Sequence, residues 1–205
     1  MPNWCYTTVT IKGDENEVQR FITEASKGYT IPTPTDSDTK ADSLMTMPFE
    51  DITREGVLSF GALTQLPSDF GINWYDRGLE LWGTKWDAEV DVDTILRVDG
   101  EASFVVSTAW SFPEEGIIIW SKAFPELSFS GTVREESEAY AGAFTVKAGQ
   151  MEGRFYDPWT EVKNLESSPS EEDDDSDIHA WQAYWDEVND TLEKMNQELL
   201  ATLIT

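Results

Sequence analysis

The chain has 205 residues, 40% hydrophobic and 12% aromatic, which is enough for one domain with a packed core and excludes a disordered acidic polymer. Its 40 Asp and Glu against 14 Lys and Arg give a formal charge of −26, a balance that repels nucleic acid and anionic membranes and attracts basic surfaces. A single cysteine, Cys5, excludes an internal disulfide, and with no long apolar run and no basic, apolar leader a cytoplasmic protein is expected.

The acidic excess is spread along the chain: residues 157–205 hold 14 acids and 2 bases, and residues 1–156 hold 26 acids and 12 bases. Thr7 to Lys12 alternates Val9 and Ile11 with polar residues and predicts a first strand. Asp14 then caps a helix to Ala25, with Val18, Phe21, Ile22 and Ala25 on one face. Residues 31–48, rich in Pro, Thr, Asp and Ser, have no periodic face and predict a loop insertion. Gly56 to Leu63 predicts a short strand, 67–69 a turn and 71–82 a short helix. Trp86 to Ile95 predicts a strand by its period of two, with Ala88, Val90 and Val92 inward and Asp87, Glu89, Asp91 and Asp93 in solvent. Ser103 to Thr108 and Leu127 to Arg134 predict further strands, Pro113 to Phe124 a helix, and Ala141 to Ala148 a hairpin partner.

The expected class is α+β: a mostly antiparallel, ferredoxin-like sheet with helices on one face, over residues 1–156. Residues 157–178 predict an acidic linker, its composition sharpest from Asn164 to Asp177, and 179–205 an amphipathic C-terminal helix. Trp181, Trp185, Val188, Leu192, Met195, Leu199 and Leu203 follow steps of three or four, so one apolar stripe should dock on the sheet or its helices. Trp181, Trp185 and Leu192 are the expected anchors of that stripe.

Three segments carry a family resemblance: NWCYTTVTIKGDENEVQRF at the N-terminus, WGTKWDA at 82–88, and STAWSFPEE with AFPELSFSG over 107–131. Together they resemble the YubB ferredoxin-like domain family, phage- and plasmid-encoded proteins without an established activity. The resemblance spans residues 1 to about 145 and implies a ferredoxin-like core and a mobile-element origin. Its motif residues are Asn3, Trp4, Cys5, Trp82, Gly83, Thr84, Lys85, Trp86, Asp87 and Trp110. Each has a structural role to fill: Asn3 satisfies loose backbone groups, Gly83 allows a sharp turn between large indoles, and Trp4 and Trp110 close the corners of the core.

The side-chain inventory points away from catalysis. His179 is the sole histidine and falls in the acidic stretch before the last helix, Cys5 has no histidine partner, and no zinc ligand set or Gly-rich phosphate loop occurs. The row Asp87, Glu89, Asp91 and Asp93 offers oxygen ligands for a hard cation, yet residues two apart on a strand stand about 6.6 Å apart, too far to share one ion. No enzyme, no cofactor and no metal are therefore expected.

What the acids do suit is a basic groove. Asp87, Glu89, Asp91 and Asp93, with Glu135, Glu136 and Glu138, residues 171–177, and Asp186, Glu187, Asp190 and Glu193, form a candidate partner surface that imitates nucleic acid. The expectation is a DNA-mimic inhibitor of a basic nucleic-acid-binding host defence protein or nucleoprotein complex. It would act in the host cytoplasm as a monomer or homodimer, without direct nucleic-acid or membrane contact. The alternative is an adaptor that binds through the apolar stripe of its C-terminal helix.

Overall fold

The computed structural model describes residues 3–32, 55–137, 139–162 and 178–204, so residues 33–48 of the expected insertion and most of the acidic linker lie outside the described residues, while Ile31, expected in that loop, is buried in the core. The central strand is β1 (Trp4–Lys12), in which Cys5, Thr7, Val9 and Ile11 are buried and Tyr6, Thr8 and Lys12 are exposed. That alternation is the period-two pattern seen in the sequence, started three residues earlier. Asp14 caps α1 (Glu15–Ala25), its side chain accepting from the Asn16 N–H, and Val18, Phe21, Ile22 and Ala25 face the core as expected.

The chain continues through β2 (Val57–Leu58), a 3₁₀ turn at Gly61–Leu63, α2 (Phe70–Trp82), β3 (Val90–Asp91) and a 3₁₀ turn at Val92–Thr94. It then forms β4 (Leu96–Val98), β5 (Glu101–Ala109), α3 (Glu114–Ala123), β6 (Ser128–Glu135), β7 (Ala141–Lys147), β8 (Gln150–Tyr156), α4 (Pro158–Val162) and α5 (Ile178–Ile204). Six strands pair antiparallel in the order β4-β5-β1-β6-β7-β8. The run β1, α1, β4, β5, α3, β6 with order β4-β5-β1-β6 is the ferredoxin-like arrangement, extended at one edge by the hairpin β7–β8. Its two-residue turn holds Ala148 at φ 49° and Gly149 at φ 77°, the left-handed pair that tight hairpins require.

Two layers cover the sheet. On one face Val9, Ile11, Phe104, Val106, Phe129, Phe144 and Val146 pack with Phe21 of α1 and Ile117 and Trp120 of α3. Phe21 meets Trp120, Phe124 and Phe129 edge-on at 5.3–5.5 Å, an arrangement favoured by the ring quadrupoles. On the reverse face lies α5, against β7, β6 and β8. Tyr184, Val188 and Leu192 form a second buried cluster there with Val162, and Arg134 and Tyr156 reach Asn189 and Asn196 at 2.8 and 2.9 Å. The reading of helices on one face thus holds for α1 and α3, while α5 closes the other.

The expected strand over 86–95 is not one strand. Only Val90 and Asp91 pair, with Val57 and Leu58 in a separate two-stranded ribbon, and the 3₁₀ turn follows at once. The alternation survives because Ala88 and Val90 are held by the core and Val92 packs against it, not because a sheet imposes it.

Candidate functional site: the tryptophan-bearing end of the sheet

The expected acidic surface divides when placed on this fold. Glu89, Asp91 and Asp93 are exposed on the connection between α2 and β4, on the α1–α3 side. Asp186, Asp190 and Glu193 are exposed on α5, on the reverse side, and Glu187 is half-buried there. Glu138 and residues 171–177 lie outside the described residues.

Two of the proposed partner acids are structural. Asp87 turns its carboxyl group inward, where one oxygen accepts from the Phe60 and Ala88 N–H groups at 2.5 and 2.7 Å. The other accepts from the Tyr29 hydroxyl at 2.6 Å and the Gly61 N–H at 3.1 Å. Burial pushes its pKa up to about 6, against the pull of those four donors toward the charged form. Glu135 is buried because its odd-numbered position in β6 faces the core side. One of its oxygens accepts from the Ser137 N–H and hydroxyl and the Ala139 N–H, tying the β6–β7 turn. Neither residue is available to a partner. Glu136 is exposed and accepts from the Trp4 N–H at 2.9 Å.

The anchors of α5 also differ from expectation. Leu192 is fully buried, as foreseen, but Trp181 and Trp185 are 36% and 37% exposed, and Tyr184 takes the buried place. The sheet meets α5 at Asn189, Leu192 and Asn196, so the first turns reach past it. Their indoles pack instead on each other's neighbours: Trp185 stands 6.2 Å from Trp159 of α4 and 5.3 Å from Tyr184, and Trp181 lies 6.2 Å from Tyr184.

The motif residues gather at this same end of the sheet, where the registers place Trp4 beside Ala109, Cys5 beside Glu135, and Ala141 beside both Arg134 and Tyr156. Gly83 ends α2 at φ 75°, its N–H donating to the Leu79 carbonyl, and so releases the chain into the 84–87 corner. Trp82 is buried and donates to the Thr64 hydroxyl at 3.2 Å, and the Thr84 hydroxyl donates to the Ala109 carbonyl at 3.3 Å. Trp110 takes φ 65°, and the Ser111 N–H donates to the Ala109 carbonyl, closing a three-residue turn around it. The Asn3 carbonyl accepts from the Trp110 N–H at 2.8 Å, and the Ser111 hydroxyl donates to the Gly83 carbonyl at 2.6 Å.

Lys85 sits inside this corner. Its ammonium lies 3.8 Å from the Trp86 ring centre and 3.9 Å from that of Trp110, while Trp4 lies 5.9 Å from Trp86. Partial burial lowers its pKa. Cys5 is buried beside the Tyr140 hydroxyl at 3.0 Å, and burial raises its thiol pKa, which suits packing rather than nucleophilic attack. The sequence reading assigned these tryptophans to corners but missed Trp159 and the Lys85 contacts; a lysine flanked by large indoles in WGTKWD was the available signal.

Among the described residues no group of three His, Cys, Asp or Glu is placed to hold a metal, and no helix is long and apolar enough to cross a membrane. No family model matches the chain, and no curated protein matches it. Among solved structures, the chain is similar to the crystal structure of protein api92 from Yersinia pseudotuberculosis, which is assigned to the family DUF1281. The TM-score is 0.51 at 10% identity, over 76% of this chain and 98% of that one. At that identity the likeness shows the fold alone.

Proposed function

We propose that the protein is a non-catalytic, mobile-element inhibitor that occupies the basic groove of a nucleic-acid-binding host protein, as its resemblance to the YubB family and its charge of −26 favour. The observation that carries the reading is the outer side of α5. Five acids, Asp186, Glu187, Asp190, Glu193 and Glu198, fall within about 20 Å of helix; Lys194 lies among them, 3.9 Å from Glu198, which leaves a net of four charges, or roughly one per 5 Å. A single nucleic-acid strand carries one per about 3.4 Å and a duplex one per about 1.7 Å, so α5 is somewhat sparser than one strand and far sparser than a duplex. Exposed Trp181 and Trp185, with Trp159 of α4 against Trp185, cluster at the N-terminal end of the same helix, on the stripe shared with Val188 and Leu192 rather than on the acidic side, and grooves for single strands combine a basic track with aromatic platforms.

The reading is therefore narrower than a duplex mimic assembled from every acidic element, because the 89–93 acids lie on the opposite layer. An adaptor acting through the apolar stripe is less favoured, since Tyr184, Val188 and Leu192 already cover the protein's own sheet. The test is affinity capture of host proteins with the full chain and with Asp186, Asp190 and Glu193 reversed to Lys. Capture of nucleic-acid-binding proteins that weakens from 0.01 to 0.15 M salt, and is lost on reversal, supports the reading. Capture insensitive to both contradicts it.

A further inference from the structure

We propose that the slot between Trp86 and Trp110 is a binding site for an alkylammonium group, best fitted by a methylated lysine side chain, and that Lys85 fills it in the free protein as a removable stand-in. The inference is independent of the α5 reading, because it rests on a different corner and on a ligand class that needs no nucleic-acid groove.

Three observations converge. First, the slot already holds an ammonium, with Lys85 Nζ 3.8 and 3.9 Å from two indole centres and a third indole, Trp4, beside Trp86. Ring faces attract an ammonium through their quadrupole and suit a methylated one especially, since methyl groups spread the charge and forgo hydrogen bonds that rings cannot accept. Second, the backbone is held in an unfavourable conformation to place one of these rings. Among the described residues the other left-handed positions are Gly56, Gly83, Gly100, Gly149 and the hairpin Ala148, whereas the turn at φ 65° carries tryptophan, still 45% exposed. A ring needed only for packing would not have to occupy such a position. Third, acids sit on the segments that build the slot: Glu136 accepts from the Trp4 N–H, and the Glu115 carboxylate lies against Gly83, two residues before Lys85. Lys85 itself is half-exposed at the end of a flexible stem, so it can leave the slot for solvent without disturbing the core.

The test titrates the full chain, wild type and Lys85→Ala, with tetramethylammonium, choline, and one short peptide bearing either trimethyllysine or unmodified lysine, followed by tryptophan fluorescence and indole NMR shifts. Lys85→Ala should bind the methylated probes at least about tenfold more tightly than wild type, and the trimethylated peptide more tightly than its unmodified form. Tighter binding of the peptide than of choline assigns a protein side chain as ligand, and the reverse assigns a free quaternary amine. Trp110→Gly, which suits the turn's φ and keeps the fold, should abolish the response in the Lys85→Ala background. Absence of saturable binding to folded Lys85→Ala, or an undiminished response with Trp110→Gly, overturns the proposal.

Discussion

Asp87 shows how one carboxylate can look like surface and serve as structure. In a row of alternating acids it reads as solvent-facing, yet it joins the 59–61 segment, Tyr29 and its own loop through four hydrogen bonds. Its folded pKa of about 6 lies above the ordinary 3.8, so between those values the folded state binds more protons than the unfolded. Its contribution to stability is then greatest below pH 3.8 and is lost as pH rises through 6, by about 3 kcal/mol in all. Thermal unfolding from pH 4 to 7 should show wild type losing stability relative to Asp87→Asn by that order; parallel curves would contradict the assignment. Leu192 and Trp185 separate the buried and exposed ends of the α5 stripe. Leu192→Ala should cost about 2–5 kcal/mol in denaturant unfolding, and Trp185→Ala less, since its indole is over a third exposed.

At the scale of elements, β1, α1, β5, α3, β6 and α5 were all legible because each carries a buried face with a clear period, and α1 its Asp14 cap as well. The 86–95 segment misled because Ala88 and Val90 are held inward by packing, and a period of two cannot distinguish that from a sheet. Strand β8 was missed since Glu152, Gly153 and Arg154 interrupt any apolar alternation, and an edge strand with most residues exposed needs none. The candidate site was less legible still: Trp4, Trp86, Trp110 and Trp159 are far apart in sequence, and the β1–β5 register, the corner after Gly83 and helix α4 bring them to one end only in the fold. The β7–β8 turn offers a local test. Ala148 at φ 49° bears a Cβ penalty that glycine lacks, so Ala148→Gly should stabilise the fold by about 1 kcal/mol in chemical denaturation. The docking of α5 offers a larger one. Ending the chain after Val162 uncovers Ala141 and Ala143 on the reverse face, and the truncated protein should melt at lower temperature and self-associate in sedimentation.

For the whole molecule, charge is the dominant property and the fold distributes it unevenly. The Asp87 and Glu135 clusters and the Lys85 slot use charge locally, while α5 carries exposed acids on the side turned away from the sheet. A net charge of −26 by itself favours dispersal whatever the protein does, so the proposed mimicry rests on the acids of α5 rather than on the total charge. Association with a basic partner should accordingly slow with added salt and with reversal of Asp186, Asp190 and Glu193, with little effect on melting temperature, because exposed charges steer encounter more than they hold the core. The central claim is tested most directly by competition: a captured host partner is loaded with labelled single-stranded or duplex nucleic acid and the protein is titrated in. Displacement of the label, complete at saturation and more effective against the single strand, is the predicted result, and a stable ternary complex of partner, label and protein would contradict it.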